Sequence, residues 1–229
     1  MRLPHEPLPH PARVAPLAVA GCAALALLLF AALARLAPET RRGQLLPFFE
    51  SYEVAEVRLL GATVYVDTSS GTADLVTVGA LAAVALALAV CAAVLHRRGV
   101  DDALTFAVAA AGAAFLAADD LLAAHETLGH NLGFLAALPA IDHPDDVIVG
   151  LYGVVVASFA WRHRALAAGT PRAPWLVCAI AGAFAVGHDL LPLHLDAAEE
   201  GAEVLAGLAL LAGVSTIASR RVQSRPSAG

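Results

Sequence analysis

The segment Leu75–Leu95, LVTVGALAAVALALAVCAAVL, contains no charged side chain in 21 residues. An α-helix needs about 20 mainly apolar residues to cross the hydrocarbon core of a bilayer. The segment therefore predicts a transmembrane helix. It is built mostly from Ala, Leu and Val, which also dominate the hydrophobic residues in the rest of the chain.

The composition of the whole chain is that of a membrane protein. Hydrophobic residues make up 59% of the 229 residues and charged residues 15%, whereas soluble domains carry about 25% charged residues. The net charge of −6 and the lack of a basic stripe argue against nucleic acid and leave the lipid bilayer as the expected partner. Three cysteines lie far apart in apolar runs, so a disulfide framework and a thiolate metal site are not expected.

Similar apolar runs recur and predict an all-α polytopic bundle. Two of the runs are short and reach spanning length only with polar flanks at the membrane interfaces. We predict one transmembrane domain over residues 1–219 with six spans, near 14–34, 75–95, 103–124, 147–161, 173–193 and 202–218. Residues 220–229 are polar and rich in small residues, and we predict a disordered cytoplasmic tail there.

The first run allows other interpretations. Val19–Cys22 is similar to a lipoprotein cleavage box, and Ala32–Ala34 to a signal-peptidase site. Because the apolar run continues well past Cys22, we interpret it as a retained anchor helix. The outer loop 38–74 that follows contains two short β-prone stretches, Glu56–Leu60 and Thr63–Thr68, around Gly61-Ala62, which predict a β-hairpin.

The arginines orient the bundle. Every formal cation is Arg, a bias typical of GC-rich bacterial genes, and most arginines lie before span one or after spans two, four and six: Arg2, Arg13, Arg97, Arg98, Arg162, Arg164, Arg172, Arg220, Arg221 and Arg225. The positive-inside rule then places both termini in the cytoplasm, with the protein in the bacterial inner membrane. Arg41, Arg42 and Arg58 in the outer loop are exceptions.

Ionisable residues concentrate at the predicted outer ends of the later spans. A charge at membrane depth costs about 2.5–3.5 kcal/mol, so such residues should face the bundle interior and be compensated. Carboxylates that share a low-dielectric site must take up protons or bind a cation, and neighbouring imidazoles favour the cation. We therefore predict a metal site with these candidate ligands: Asp119, Asp120, His125, Glu126, His188, Asp189, Glu199, Glu200 and Glu203.

Oxygen and imidazole ligands without thiolate suit a divalent transition metal, namely zinc, iron, manganese or copper. On a continuous helix Asp119, Glu126 and His130 would fall close to one face. Simpler roles compete with this hypothesis. Asp142, Asp145 and Asp146 suit helix N-caps, and His130, His143 and His194 suit an interfacial position.

The pattern Asp119-Asp120-x4-His125-Glu126 resembles that of a family of uncharacterised bacterial multi-spanning membrane proteins. Those proteins also carry a Glu-Glu-Gly motif, here Glu199-Glu200-Gly201, and the resemblance implies no known activity. A fainter similarity is to alkaline-ceramidase-like membrane hydrolases, whose zinc is held by three His with an Asp and a Ser. This chain lacks their Ser-x3-His and final His-x3-His motifs.

The functional hypothesis is an outward-facing metal site that acts on a lipid-soluble or periplasmic small substrate. In a hydrolytic mechanism the metal would activate a water, and Glu126 or Glu200 would act catalytically by moving the proton. The alternatives are a proton- or metal-ion transporter or sensor, and an accessory membrane subunit without catalysis. Because the inner halves of spans three, five and six are almost purely apolar, a one-sided site is favoured over a transport path.

Overall fold

The computed structural model describes residues 52–59, 62–69, 72–134, 145–189 and 196–223. The predicted first span at 14–34 and residues 224–229 of the predicted tail lie outside these ranges. The described residues form a mostly helical protein with one small β-hairpin.

The hairpin predicted in the first loop is confirmed. Strands β1 (Tyr52–Leu59) and β2 (Ala62–Ser69) pair antiparallel, in a register that runs from Tyr52 opposite Ser69 to Leu59 opposite Ala62. Val64 and Val66 alternate with Thr63, Tyr65 and Asp67 along β2, which suits a pleated strand. A lone two-stranded hairpin is marginally stable in water, and this one packs against the helical part of the chain through β2.

Three helices are long and apolar enough to span a membrane. They are α1 (Thr72–Arg97), α2 (Ala103–Leu122) and the C-terminal helix, α6 (Asp196–Gln223), with apolar spans at Leu75–Arg97, Ala103–Leu122 and Ala198–Gln223. Helix α1 packs against both α2 and α6. Small and branched residues fill the core between them: Val84, Leu88, Cys91, Phe106, Ala110, Ala113, Val214 and Ile217.

Two further apolar helices are shorter. Helix α4 (Asp146–Arg162) has 17 residues and α5 (Arg172–Asp189) has 18, and a short 3-10 helix at Arg164–Ala167 lies between them. Helix α5 packs along α6, whereas α4 contacts α5 and the short helix α3 (Ala124–Asn131). In the described part of the chain, three helices thus meet the length for a span, and the six-span count stays a prediction.

The predicted third span differs from the structure at its outer end. Helix α2 ends at Leu122, and Ala123 adopts a left-handed conformation with φ 45° and ψ 46°. Helix α3 then begins at Ala124 in a new direction, so Glu126 and His130 do not continue the face of α2. At the other end of the chain, α6 continues to Gln223, so Arg220–Gln223 is helical where a disordered tail was predicted.

Candidate functional site

The break at Ala123 brings His125 back to Asp119. In a continuous helix these two residues would lie about 9 Å apart along the axis and on different faces. In the structure His125 Nδ1 lies 2.7 Å from Asp119 Oδ2. Ala123 is fully buried, and its N–H donates to the carbonyl of Asp120 at 3.3 Å, which caps the end of α2. The helix break at Ala123 therefore creates the contact.

Asp119, His125 and Glu126 form a cluster, and Asp119 is its most buried acid, with 7% of the residue exposed. One carboxylate oxygen contacts His125, and the other accepts a 3.3 Å hydrogen bond from the Tyr152 hydroxyl of α4. The Tyr152 ring packs edge-on against Phe115 of α2, with centroids 5.5 Å apart. Tyr152 was missed at the sequence level, although a tyrosine in an apolar run signals a hydroxyl that needs a partner.

Glu126 approaches the same imidazole nitrogen. Its Oε2 lies 3.1 Å from His125 Nδ1, and its side chain is 17% exposed. One Nδ1 carries at most one proton, which can point at only one acceptor. The shorter contact to Asp119 takes the hydrogen bond, and Glu126 Oε2 accepts none among the described residues. Glu126 therefore interacts with the ring through charge.

Burial raises the pKa of Glu126 above that of an ordinary glutamate, and it is the largest influence on this group. The charge of His125 and the backbone N–H of Glu126 act in the opposite direction. The negative charges of Asp145 and Asp119 raise the pKa further. Glu126 lies on α3, four residues beyond the end of the apolar span Ala103–Leu122.

Two contacts hold α3 in place over this cluster. Gly129 lies against the start of α4, where an added Cβ would come within 2.6 Å of the Asp145 nitrogen. Asn131 joins α3 to the hairpin, since its amide accepts from Tyr65 N at 3.1 Å and donates to Tyr65 O at 2.7 Å. Asp145 occupies the predicted N-cap position of α4, but its side chain makes no capping hydrogen bond.

The remaining predicted ligands lie at the same end of the bundle. Asp120 is half-buried on α2, and the three acids Glu199, Glu200 and Glu203 are half-buried in the first turns of α6. His188 and Asp189 are the last residues of α5, and their side chains lie outside the described part of the structure. No three or more His, Cys, Asp and Glu side chains among those the structure describes are arranged to hold a metal ion. The divalent metal therefore stays a prediction.

The sequence was also compared with known proteins. The profile of one protein family, described as "Domain of unknown function (DUF8692)", matches residues 17–218, which is most of the chain. The chain belongs to this family. No curated protein and no solved structure matches it. Membership of the DUF8692 family agrees with the resemblance to an uncharacterised family, and the similarity to alkaline-ceramidase-like hydrolases stays a prediction.

Proposed function

We propose that this member of the DUF8692 family is an integral membrane protein that senses pH by binding a proton at its Asp119–His125–Glu126 cluster. One observation carries the proposal. A single imidazole nitrogen, His125 Nδ1, lies 2.7 Å from one carboxylate and 3.1 Å from a second, in a largely buried position.

The charges of the cluster favour proton binding. With His125 neutral and both acids ionised, three neighbouring side chains carry a charge of −2, which a buried site tolerates poorly. Uptake of one proton by Glu126 reduces the charge to −1. The raised pKa of Glu126 supports this arrangement.

Sensing fits the cluster better than proton transport does. Helix α2 carries no ionisable side chain from Ala103 to Ala118, so no relay of such groups continues along it towards the other end. Helix α3 carries His125 and Glu126, and it is attached to the hairpin and to the start of α4. A change of charge at the cluster would therefore alter how firmly α3 is held to α2.

The proposal includes the predicted topology. Six spans with both termini in the cytoplasm would place the cluster on the outer face of the inner membrane. Seven of the eight described arginines support this, because they lie at the helix ends opposite to the cluster, and Arg58 on β1 is the exception. Reporter fusions after Arg98 and Arg172 should report the cytoplasm, and a fusion after Gly133 the outer side. A periplasmic signal after Arg172 would contradict the orientation.

Infrared difference spectroscopy on the purified protein tests the proton site. A pH jump from acid to neutral should remove a protonated carboxyl band, at a higher pH than an ordinary glutamate would require. Glu126→Gln should abolish this band, whereas Glu56→Gln, which alters an exposed acid on β1, should retain it. An unchanged band in Glu126→Gln would contradict the proposal.

Elemental mass spectrometry of the same sample distinguishes the metal hypothesis from proton sensing. A stoichiometric transition metal that is lost in Glu126→Gln would replace proton sensing by a metal site. In that case the predicted catalytic roles of Glu126 and Glu200 would be tested next.

A further inference from the structure

A cavity of about 260 Å³ lies at the end of the bundle opposite to the His–carboxylate cluster. Because one water takes up about 30 Å³ of liquid, this cavity has room for roughly eight waters or a small polar group. It lies between the loop after α4 and the last turns of α6, and its walls are Leu166, Ala168, Thr170, Ile217, Arg220 and Arg221. Two of these six residues are arginines.

Specific contacts build the walls. Arg220 Nη1 donates to the carbonyl of Gly169, whose φ of 78° is a left-handed conformation suited to glycine. An added Cβ at Gly169 would lie 3.2 Å from the same Nη1, so the glycine also permits the close approach. The Thr170 hydroxyl donates to Ala167 O at 2.6 Å and accepts from Trp175 Nε1 at 3.0 Å. The loop that forms one wall is thus held on both sides.

The cavity lies at the end of the apolar spans of α1 and α6, where a helix that crosses a bilayer would meet the lipid headgroups. Helices α1 and α6 both end there, since Arg98 Nη1 donates to Val222 O at 2.6 Å. Arg221 forms a 2.9 Å salt bridge with Asp102 in the turn before α2. Nearby, Trp161 is 71% exposed, and the Arg164 guanidinium lies 4.5 Å from the centre of its ring. Exposed tryptophan beside arginine is typical of a membrane interface.

This end of the protein is strongly cationic. Its described residues include seven arginines and two aspartates: Arg97, Arg98, Arg162, Arg164, Arg172, Arg220, Arg221, Asp101 and Asp102. A guanidinium has five N–H donors in a fork that matches the oxygens of a phosphate. The bond from Arg220 to Gly169 uses only one of its nitrogens. Anionic lipids are attracted to such juxtamembrane cations.

From the cavity, its arginines and its membrane level, we infer that this site binds the phosphodiester headgroup of an anionic membrane lipid. Arg220 and Arg221 hold the phosphate, and the apolar wall of Leu166 and Ile217 contacts the start of the acyl region. The site does not depend on the proton-binding cluster at the other end of the bundle.

Native mass spectrometry of the full chain, released from detergent micelles that contain phosphatidylglycerol or phosphatidylcholine with the same acyl chains, tests the inference. The wild type should retain one phosphatidylglycerol in preference to phosphatidylcholine. Arg220→Gln should weaken phosphatidylglycerol binding by about fivefold, because it removes a guanidinium that contacts the phosphate directly. Arg164→Gln is the matched control, because it removes an arginine at the same level that does not line the cavity. It should bind the lipid as the wild type does.

A second variant distinguishes loss of lipid binding from loss of folding in Arg220→Gln. Ala168→Phe fills the cavity without changing a charge and should also reduce retention of phosphatidylglycerol. Equal retention of the two lipids by the wild type, or full retention of phosphatidylglycerol by Ala168→Phe, would overturn the inference.

A further arm adds inorganic phosphate at millimolar concentration. Stabilisation by phosphate in a protein that retains no phosphatidylglycerol would overturn the lipid assignment and identify a soluble phosphate compound as the ligand.

Discussion

His125 Nδ1 lies 2.7 Å from Asp119 Oδ2, although a helix end and a left-handed residue separate the two side chains in the sequence. The contact makes the helix break at Ala123 part of the site. A buried charge that loses its partner is expensive, typically about 3–5 kcal/mol. Asp119 and His125 should therefore behave as one energetic unit.

A double-mutant cycle measures this coupling. His125→Phe leaves the buried Asp119 carboxylate without the imidazole and should destabilise the fold by about 3 kcal/mol. Asp119→Leu combined with His125→Phe should cost less than the sum of the two single variants, by about 1–3 kcal/mol. Tyr152→Phe, which removes only the 3.3 Å bond to the other oxygen, should cost about 1 kcal/mol. Thermal unfolding in detergent provides the values. Strict additivity of the two single variants would contradict the coupling.

The pH dependence of stability should reflect Glu126. Its pKa is raised in the folded state, mainly by burial, so the folded protein binds this proton more tightly than the unfolded chain does. The stabilisation of the fold by the protonated Glu126 is fully present below the pKa of an ordinary glutamate. It is lost as the pH rises through the raised pKa of Glu126 in the folded state. Glu126→Gln should therefore melt above the wild type at neutral pH, with a smaller difference in acid.

Tm measured from acid to neutral pH tests this expectation. The groups that face Glu126 are His125, Asp119 and Asp145, and each stays in place in the Gln variant. Glu56→Gln on the exposed face of the hairpin should follow the wild-type curve. Parallel curves for Glu126→Gln and the wild type would show that Glu126 does not carry the pH dependence.

The sequence predicts the helices and strands that are determined by local residue patterns. An uninterrupted apolar run identifies α1, and two β-prone stretches around Gly61-Ala62 identify the hairpin. The end of α2 has no such signal, because Leu121–Ala124 are good helix formers and no Gly or Pro lies among them. Contacts distant in sequence, such as Tyr152 with Asp119, prevail there over local propensity. Asp119, His125 and Glu126 are recognisable as candidates, but their arrangement depends on that unpredicted break.

Substitutions at Ala123 test whether the fold requires the helix break between α2 and α3. A residue with a Cβ pays about 1–2 kcal/mol in the left-handed region, and Ala123 is fully buried. Ala123→Gly relieves this strain but removes a buried methyl group, so its Tm should stay near that of the wild type. Ala123→Val adds bulk at a buried site and a branched Cβ that resists this conformation, so it should lose roughly 2–3 kcal/mol. Equal Tm values for the two variants would contradict a left-handed Ala123.

The packing of α5 on α6 depends on Gly213. An added Cβ there would lie 2.8 Å from Cζ2 of Trp175, and the indole is fixed by its bond to the Thr170 hydroxyl. Gly213→Ala should therefore destabilise the protein by about 1–3 kcal/mol through overpacking. Gly112→Ala on α2 is the matched control, because no atom lies within 4 Å of the position that its Cβ would take. It should be neutral or stabilising by up to about 1 kcal/mol, since alanine is the better helix former. Trp175→Leu in the Gly213→Ala background should recover part of the loss, and equal Tm values for the two glycine variants would contradict the close approach of the two helices.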